Sequence, residues 1–162
     1  MSLSHKKNQE YKGLIFVILV EIKIERMYPE EIVRPMKEDL TSAGFNELLS
    51  AEAVNAAVEK EGTTLVVVNS VCGCAAGNAR PGVKMSLDHA KKPSSLTTVF
   101  AGVDKDAVDQ ARKFMMPYPP SSPAIGLFKD GKLVHMIERH HIEGRTADLI
   151  SESLKAAYDE FC

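Results

Sequence analysis

The chain contains 162 residues, of which 44% are hydrophobic and 26% charged, and its 20 basic and 22 acidic side chains leave a net charge of −2. This length favours one domain that buries about 70% of its unfolded surface, so a disulfide framework is not needed for stability. The near-neutral charge excludes the strongly basic surface of a protein that binds nucleic acid or an anionic membrane, and the hydrophobic content excludes a disordered chain. We therefore expect no nucleic-acid partner and no membrane partner.

The first 26 residues contain an apolar run at positions 14–20 that follows three lysines. The run is too short for a transmembrane helix, which needs about 20 residues. It passes into the alternation of Ile22 and Ile24, which predicts a strand, and no small-residue cleavage site follows. A cytoplasmic location is therefore favoured, with a signal peptide as the alternative. Because Met27 opens a segment that would make a natural start, we interpret residues 1–26 as an atypical N-terminal extension.

Two helices are predicted before the first clear strand of the remaining chain. Pro29 suits the first turn of a helix with apolar residues at helical spacing; Pro35 should kink that helix and Gly44 should end it. Ser50 has the side chain of a helix N-cap, and the helix that it starts should run to Gly62.

Residues 64–70 form a continuous β-branched run, which is typical of a strand buried on both faces. A helix should begin at the residues after it and continue towards His89. A second strand is predicted at residues 96–101, followed by a helix capped by Asp104.

The C-terminal part continues this alternation. A proline-rich loop leads to a strand at residues 124–128, and Asp130-Gly131 predicts a tight hairpin to a strand at residues 132–137. The last helix should run from about residue 146 to 161 and bury four apolar side chains, Leu149, Ile150, Leu154 and Ala157. This order predicts a mixed sheet with helices on both faces, and chemistry at the carboxyl end of the first buried strand.

Two of the three cysteines, Cys72 and Cys74, stand at the predicted junction between that strand and the next helix. Free backbone N–H groups and the positive end of the helix dipole lower the pKa of a thiol in such a position. A thiol of low pKa is a good leaving group, which suits repeated formation and cleavage of mixed disulfides. Gly73 relaxes the backbone, so the two Cα atoms should lie within about 7 Å and the sulfurs could pair in a strained, transient disulfide. Cys162, at the chain end, is expected to be mobile.

Two other interpretations of the cysteines stay open. Both could be buried and act only as small hydrophobic side chains. Alternatively, Cys72 and Cys74 could join His135, His140 or His141 in a site for zinc or copper, which would make the protein a metal-binding or metal-delivery module. The histidines have no metal-binding spacing, and the adjacent pair would point in opposite directions if extended. We therefore assign no metal ligand and expect ordinary surface histidines.

Three further sequence features have a structural and a functional interpretation. Ser122-Pro123 precedes a strand after a proline-rich loop and is a candidate cis peptide bond, with a rigid turn as the alternative. Arg80 could favour an anionic thiol substrate, although a solvated surface arginine is the preferred interpretation. Pro81 should kink the helix that carries it.

Residues 67–77, with the sequence VVNSVCGCAAG, and the following Ala79-Arg80-Pro81 resemble the signature of the bacilliredoxin family. The order of elements resembles the thioredoxin fold, with the cysteines at its active-site position and Ser122-Pro123 where that fold has its cis-proline. Residues 27–44, residues 140–144 and the terminal cysteine are also similar, so that the resemblance covers residues 27–162.

The resemblance implies an α/β fold, a thioredoxin-like three-layer sandwich with a mixed sheet flanked by helices. It implies a cytoplasmic thiol–disulfide oxidoreductase that removes bacillithiol, or a similar low-molecular-weight thiol, from protein mixed disulfides and has weak disulfide isomerase activity. Cys72 would be the attacking thiol and Cys74 the resolving thiol, while Gly73, Ser122 and Pro123 would border the substrate groove.

No cofactor is expected to be bound, and bacillithiol would be the co-substrate. The expected partners are bacillithiolated or disulfide-containing proteins, together with a reductase or low-molecular-weight thiol for recycling. A redox sensor that signals through a partner without turnover is a third, weaker hypothesis.

Overall fold

The computed structural model of the protein describes residues 27–162. The interpretation of residues 1–26 as an extension, with a strand in it, falls outside the described residues. The helices and strands of the described part follow one another in this order: α1 (Glu30–Thr41), β1 (Asn46–Glu47), α2 (Ala51–Val58), β2 (Thr63–Asn69), a π-helix (Ala75–Ala79), α3 (Arg80–Ser86), β3 (Ser95–Phe100), α4 (Lys105–Phe114), β4 (Ala124–Lys129), β5 (Lys132–Ile137), α5 (Arg139–Ile142) and α6 (Ala147–Phe161).

The strands form one mixed sheet with the spatial order β1-β3-β2-β4-β5. The pairs β1–β3 and β3–β2 are parallel, whereas β2–β4 and β4–β5 are antiparallel. Strand β2 therefore has a neighbour on each side, and all seven of its residues are buried. This burial explains why its sequence is a continuous β-branched run without polar alternation.

Helices cover both faces of the sheet and create two hydrophobic cores. On one face, α3 and α6 pack over Leu65 and Val67 of β2. On the other face, α2 and α4 pack over Val66 and Val68. Because successive strand residues point to opposite faces, β2 contributes to both cores. The predicted three-layer α/β sandwich is confirmed.

Several local predictions are also confirmed. The side chain of Ser50 accepts the N–H of Ala53 at 3.2 Å and so caps α2. Asp130 and Gly131 have φ angles of 50° and 79° and join β4 to β5 in the predicted tight hairpin. Both positions need the left-handed region that glycine and aspartate tolerate best.

Other predictions differ from the structure. Asp104 stands at the N-cap position of α4, but its carboxylate makes no cap bond; it accepts the N–H of Phe100 and pairs with Lys37. Leu149 was expected in the core and is 48% exposed. The short strand β1 was not predicted, because both of its residues are exposed and it pairs only through its backbone.

None of the helices between residues 27 and 162 combines the length and the hydrophobicity that crossing a membrane would require.

Candidate active site

Cys72 and Cys74 lie just beyond the carboxyl end of β2 and are joined by a disulfide bond. Their Cα atoms are 5.4 Å apart, well inside the range that disulfides span. Gly73, between them, is exposed, and a Cβ atom built on it would meet nothing within 4 Å. The residue between the two disulfide-bonded cysteines is thus exposed and has no side chain. The interpretation of both cysteines as fully buried core residues is wrong, because each is only partly buried.

The sulfur of Cys72 accepts two hydrogen bonds. The hydroxyl of Ser70 donates to it at 3.4 Å, and the backbone N–H of Ala75 donates at 3.3 Å. The carbonyl of Cys72 in turn accepts the N–H groups of Ala75 and Ala76, which starts the helical segment. Donors aimed at a sulfur stabilise its anionic form, so this arrangement suits a thiolate at Cys72. Cys74 differs, because it packs against the core that α3 and α6 form with the sheet.

The helix after the cysteines does not run as one regular α-helix to His89. It opens with the π-helix at Ala75–Ala79, continues as α3 and ends at Ser86. Pro81 lies in the first turn of α3, at the change from π to α geometry. Proline has no N–H and its ring obstructs the preceding turn, which fits a change in helix type at this position. The kink expected at Pro81 stays a prediction.

Arg80 is buried, with a relative exposure of 5%, so the preferred interpretation of a solvated arginine is wrong. Its Nε donates to the carboxylate of Asp39 at 2.9 Å. Its Nη1 donates to the side-chain oxygen of Asn69 at 3.1 Å and to the carbonyl of Ser70 at 3.2 Å. The guanidinium is thus engaged inside the protein and does not face a substrate.

The pKa of Asp39 reflects this environment. Partial burial raises the pKa of its carboxyl, but hydrogen bonds from Lys84 and Arg80 and their positive charges outweigh that effect. The net result is a pKa below the usual aspartate value. Asp39 is therefore a carboxylate that balances the charge of the buried guanidinium.

The Ser122-Pro123 peptide bond is cis, as predicted, and so is Met116-Pro117, which was not predicted. Pro123 is buried and directly precedes β4, whose first residue, Ala124, pairs with Val68 of β2. This register places the cis-proline beside the end of β2, from which the cysteine segment departs. Arg139 contacts the same loop, because its Nη1 donates to the carbonyl of Ser122 at 3.3 Å.

The histidines do not join the cysteines. Within residues 27–162, the side chains close enough to share a metal ion are those of Glu138, His140 and His141, and the two sulfurs are not among them. His140 and His141 lie on the helix α5 and not in an extended segment, so the condition under which they would point in opposite directions is not met, and their ring centroids lie 3.8 Å apart. Nδ1 of His141 accepts the N–H of Glu138, whose side chain caps α5 in return, so this cluster is already engaged in capping a helix. His135 instead hydrogen-bonds Ser153, and burial lowers its pKa.

The sequence did not predict the hydrogen-bond network of Asn69, Ser70 and Arg80 next to the cysteines. Asn69 accepts the N–H of Ser70 and a bond from Arg80 on the same oxygen, and donates to the carbonyl of Met36. A signal was available, because Asn69 and Ser70 are two polar residues at the end of an apolar strand, immediately before the cysteines. Cys162 is exposed at the end of α6 and is unpaired.

Two solved structures have the same architecture as this chain. The chain is similar to mitochondrial thioredoxin 3 from Saccharomyces cerevisiae, with a TM-score of 0.50 at 14% identity over 76% of this chain and 99% of that one. It is also similar to a mutant thioredoxin from Halobacterium salinarum, with a TM-score of 0.52 at 12% identity over 74% of this chain and 91% of that one. At these identities the likeness shows the thioredoxin fold. On this fold, the Cys72–Cys74 disulfide after the central strand and the adjacent cis-proline form an arrangement that suits a thiol–disulfide oxidoreductase.

The sequence comparisons then give the family. Residues 28–162 match the family model described as disulphide isomerase. Proteins named bacilliredoxin are 64% identical in Cytophaga hutchinsonii, over 83% of this chain and 99% of the relative, and 55% identical in Koribacter versatilis, over 84% and 94%. One from Bacillus cereus is 48% identical over 83% of this chain and 94% of the relative. The chain belongs to the bacilliredoxin family.

Proposed function

We propose that this protein removes bacillithiol, or a similar low-molecular-weight thiol, from mixed disulfides on proteins, with Cys72 as the attacking thiol. The observation that carries the proposal is the pair of hydrogen bonds from Ser70 and Ala75 to the sulfur of Cys72. Relatives named bacilliredoxin at 48–64% identity support the choice of the small thiol.

In the first step, the thiolate of Cys72 attacks the bacillithiol sulfur of a protein mixed disulfide. A disulfide forms between Cys72 and bacillithiol, the original disulfide breaks, and the substrate protein leaves as a thiolate that takes a proton from water. The two donors at Cys72 stabilise the attacking thiolate, and the same stabilisation makes Cys72 a good leaving group afterwards.

In the second step, the thiolate of Cys74 attacks the sulfur of Cys72. The Cys72–Cys74 disulfide forms and bacillithiol leaves as a thiolate. The Cα separation of 5.4 Å means that this disulfide fits the turn in which both residues stand. Two electrons from a reductase or from free low-molecular-weight thiol then restore the dithiol.

The substrate would lie over Gly73 and along the cis-proline loop. A Cβ atom built on Gly73 would meet nothing within 4 Å, and Ser122 and Pro123 lie beside the end of β2. Attack by Cys72 on a protein disulfide, followed by release to another cysteine of the same substrate, would give weak disulfide isomerase activity by the same chemistry. The proposal includes a cytoplasmic location and bacillithiolated or disulfide-containing proteins as partners.

Intact-protein mass spectrometry tests the proposal. Reduced protein is mixed with a bacillithiolated model protein, and both masses are followed for the wild type, Cys72→Ser and Cys74→Ser. We expect loss of the adduct from the model protein with the wild type, no transfer with Cys72→Ser, and an adduct trapped on Cys72 with Cys74→Ser. Cys162→Ser, which removes the exposed third thiol, is the matched control and should behave as the wild type.

Two results would contradict the proposal. Undiminished transfer by Cys72→Ser would show that Cys72 is not the nucleophile. No transfer by the reduced wild type, under conditions in which it reduces a glutathione mixed disulfide, would show that bacillithiol is not the substrate.

A further inference from the structure

The buried guanidinium of Arg80 ties three separate segments together behind the cysteines. Its Nε bonds Asp39 on α1, and its Nη1 bonds Asn69 at the end of β2 and the carbonyl of Ser70 in the segment that leads to Cys72. A buried charge is unfavourable unless it is paired and hydrogen-bonded, and here three acceptors on the protein meet that requirement. A planar guanidinium reaches acceptors in several directions at once, which an ammonium group does less well.

Ser70 links this network to the reactive sulfur. Its backbone is held at two points, because its N–H donates to the side chain of Asn69 at 2.8 Å and its carbonyl accepts from Arg80 at 3.2 Å. The hydroxyl of the same residue donates to the sulfur of Cys72. The orientation of that hydroxyl therefore depends on a backbone that Arg80 and Asn69 fix.

We propose that Arg80 is a positioning residue for the attack by Cys72: it holds the backbone of Ser70 so that the Ser70 hydroxyl points at the sulfur. The inference rests on the proposed role of Cys72 as the attacking thiol. In this role Arg80 does not contact the substrate. It affects the reactivity of Cys72 in addition to the stability of the fold.

Lys84 offers a matched control on the same helix. It also pairs with Asp39, but it forms no bond with Asn69 or Ser70. Arg80→Met and Lys84→Met each remove one positive charge that pairs with Asp39, and each leaves the other cation to pair with it. Only Arg80→Met removes the contact with the Ser70 carbonyl.

The readout is the rate at which Cys72 is alkylated by iodoacetamide between pH 4 and 9, in reduced protein that lacks Cys74 and Cys162 through serine substitutions. We expect Arg80→Met to raise the midpoint of this profile and to slow alkylation below the midpoint about fivefold, the loss expected from one hydrogen bond to a thiolate. Lys84→Met should leave the midpoint unchanged. The charged groups that face Arg80 and could move the profile directly are Asp39 and, beyond it, Lys84.

A double-mutant cycle separates positioning from a direct effect of charge. If Arg80 acts through Ser70, Arg80→Met should shift the profile in the Ser70 background but add nothing in a Ser70→Ala background. If Arg80→Met raised the alkylation midpoint equally in the Ser70 and the Ser70→Ala backgrounds, the proposal would be overturned. It would also be overturned if Arg80→Met lowered the stability of the protein but left the alkylation midpoint of Cys72 unchanged. If Arg80→Met does not fold, Arg80→Lys, which keeps the charge but loses the planar fork, takes its place with the same expectations. Because alkylation needs no bacillithiol, a failure of bacillithiol transfer leaves this test intact.

Discussion

Replacing Ser70 by alanine should raise the pKa of the Cys72 thiol. The Ser70 hydroxyl donates to the sulfur at 3.4 Å, and the N–H of Ala75 remains as a second donor in the variant. Hydrogen bonds to charged groups contribute about 1.5–3 kcal/mol; for a long bond to a partly exposed sulfur we take about 1 kcal/mol. Since 1.36 kcal/mol corresponds to a tenfold change in an equilibrium, we expect about fivefold less thiolate below the midpoint of the titration.

The assay follows iodoacetamide alkylation of reduced protein across pH, with Cys74 and Cys162 replaced by serine so that Cys72 alone reacts. Ser153→Ala is the matched control, because Ser153 is a partly buried serine whose hydroxyl bonds His135 and not a sulfur. We expect the alkylation midpoint of Ser70→Ala to lie above that of the parent and of Ser153→Ala. A midpoint that stays in place or falls would refute the reasoning that the hydroxyl stabilises the thiolate.

Three predictions concern the fold. A Cβ on Gly82 would lie 2.8 Å from Cβ of Ile150, so Gly82→Ala should lower the free energy of unfolding by about 1–3 kcal/mol in urea titrations, whereas Gly77→Ala, with open space at its Cβ, should not. Ser50→Ala removes a helix cap and should cost about 1 kcal/mol in the same titration; an unchanged midpoint would contradict the observed cap bond. Burial raises the pKa of Tyr158 to about 12, so the unfolded chain, whose tyrosines titrate near pH 10, loses this proton first. Stability should therefore fall between pH 10 and pH 12, and Tyr158→Phe should make that fall shallower; an equal fall in both proteins would count against it.

The parts of the fold that could be predicted are those with a local chemical cause. The β-branched run of β2 indicates burial on both faces, Asp130-Gly131 provides the φ angles of a tight hairpin, and Ser50 caps the helix that it precedes. The position of Cys72 and Cys74 at a strand-to-helix junction follows from the same patterns. These signals lie within a few residues of the feature that they specify, so that one sequence suffices to find them.

The parts that could not be predicted depend on contacts between distant segments. Arg80 is buried because Asp39, 41 residues earlier, supplies a carboxylate at its position, and no local pattern shows that. Leu149 follows the helical spacing of the core residues, but α3 and the sheet cover only its neighbour Ile150. The role of Ser70 also requires the turn that brings its hydroxyl back to the sulfur of the second residue after it.

The central position of β2 determines which backbone amides are protected from exchange with solvent. Every residue of this strand is buried, and residues 64–68 pair with β3 on one side and with β4 on the other. The amide hydrogens of these five residues should therefore exchange with solvent only when the whole domain unfolds. Gly73, three residues beyond Ser70, is exposed, and its amide is outside the sheet. The Cys72–Cys74 disulfide therefore forms and breaks just outside the sheet. Solvent can reach the sulfurs while the hydrogen bonds of β2 stay intact.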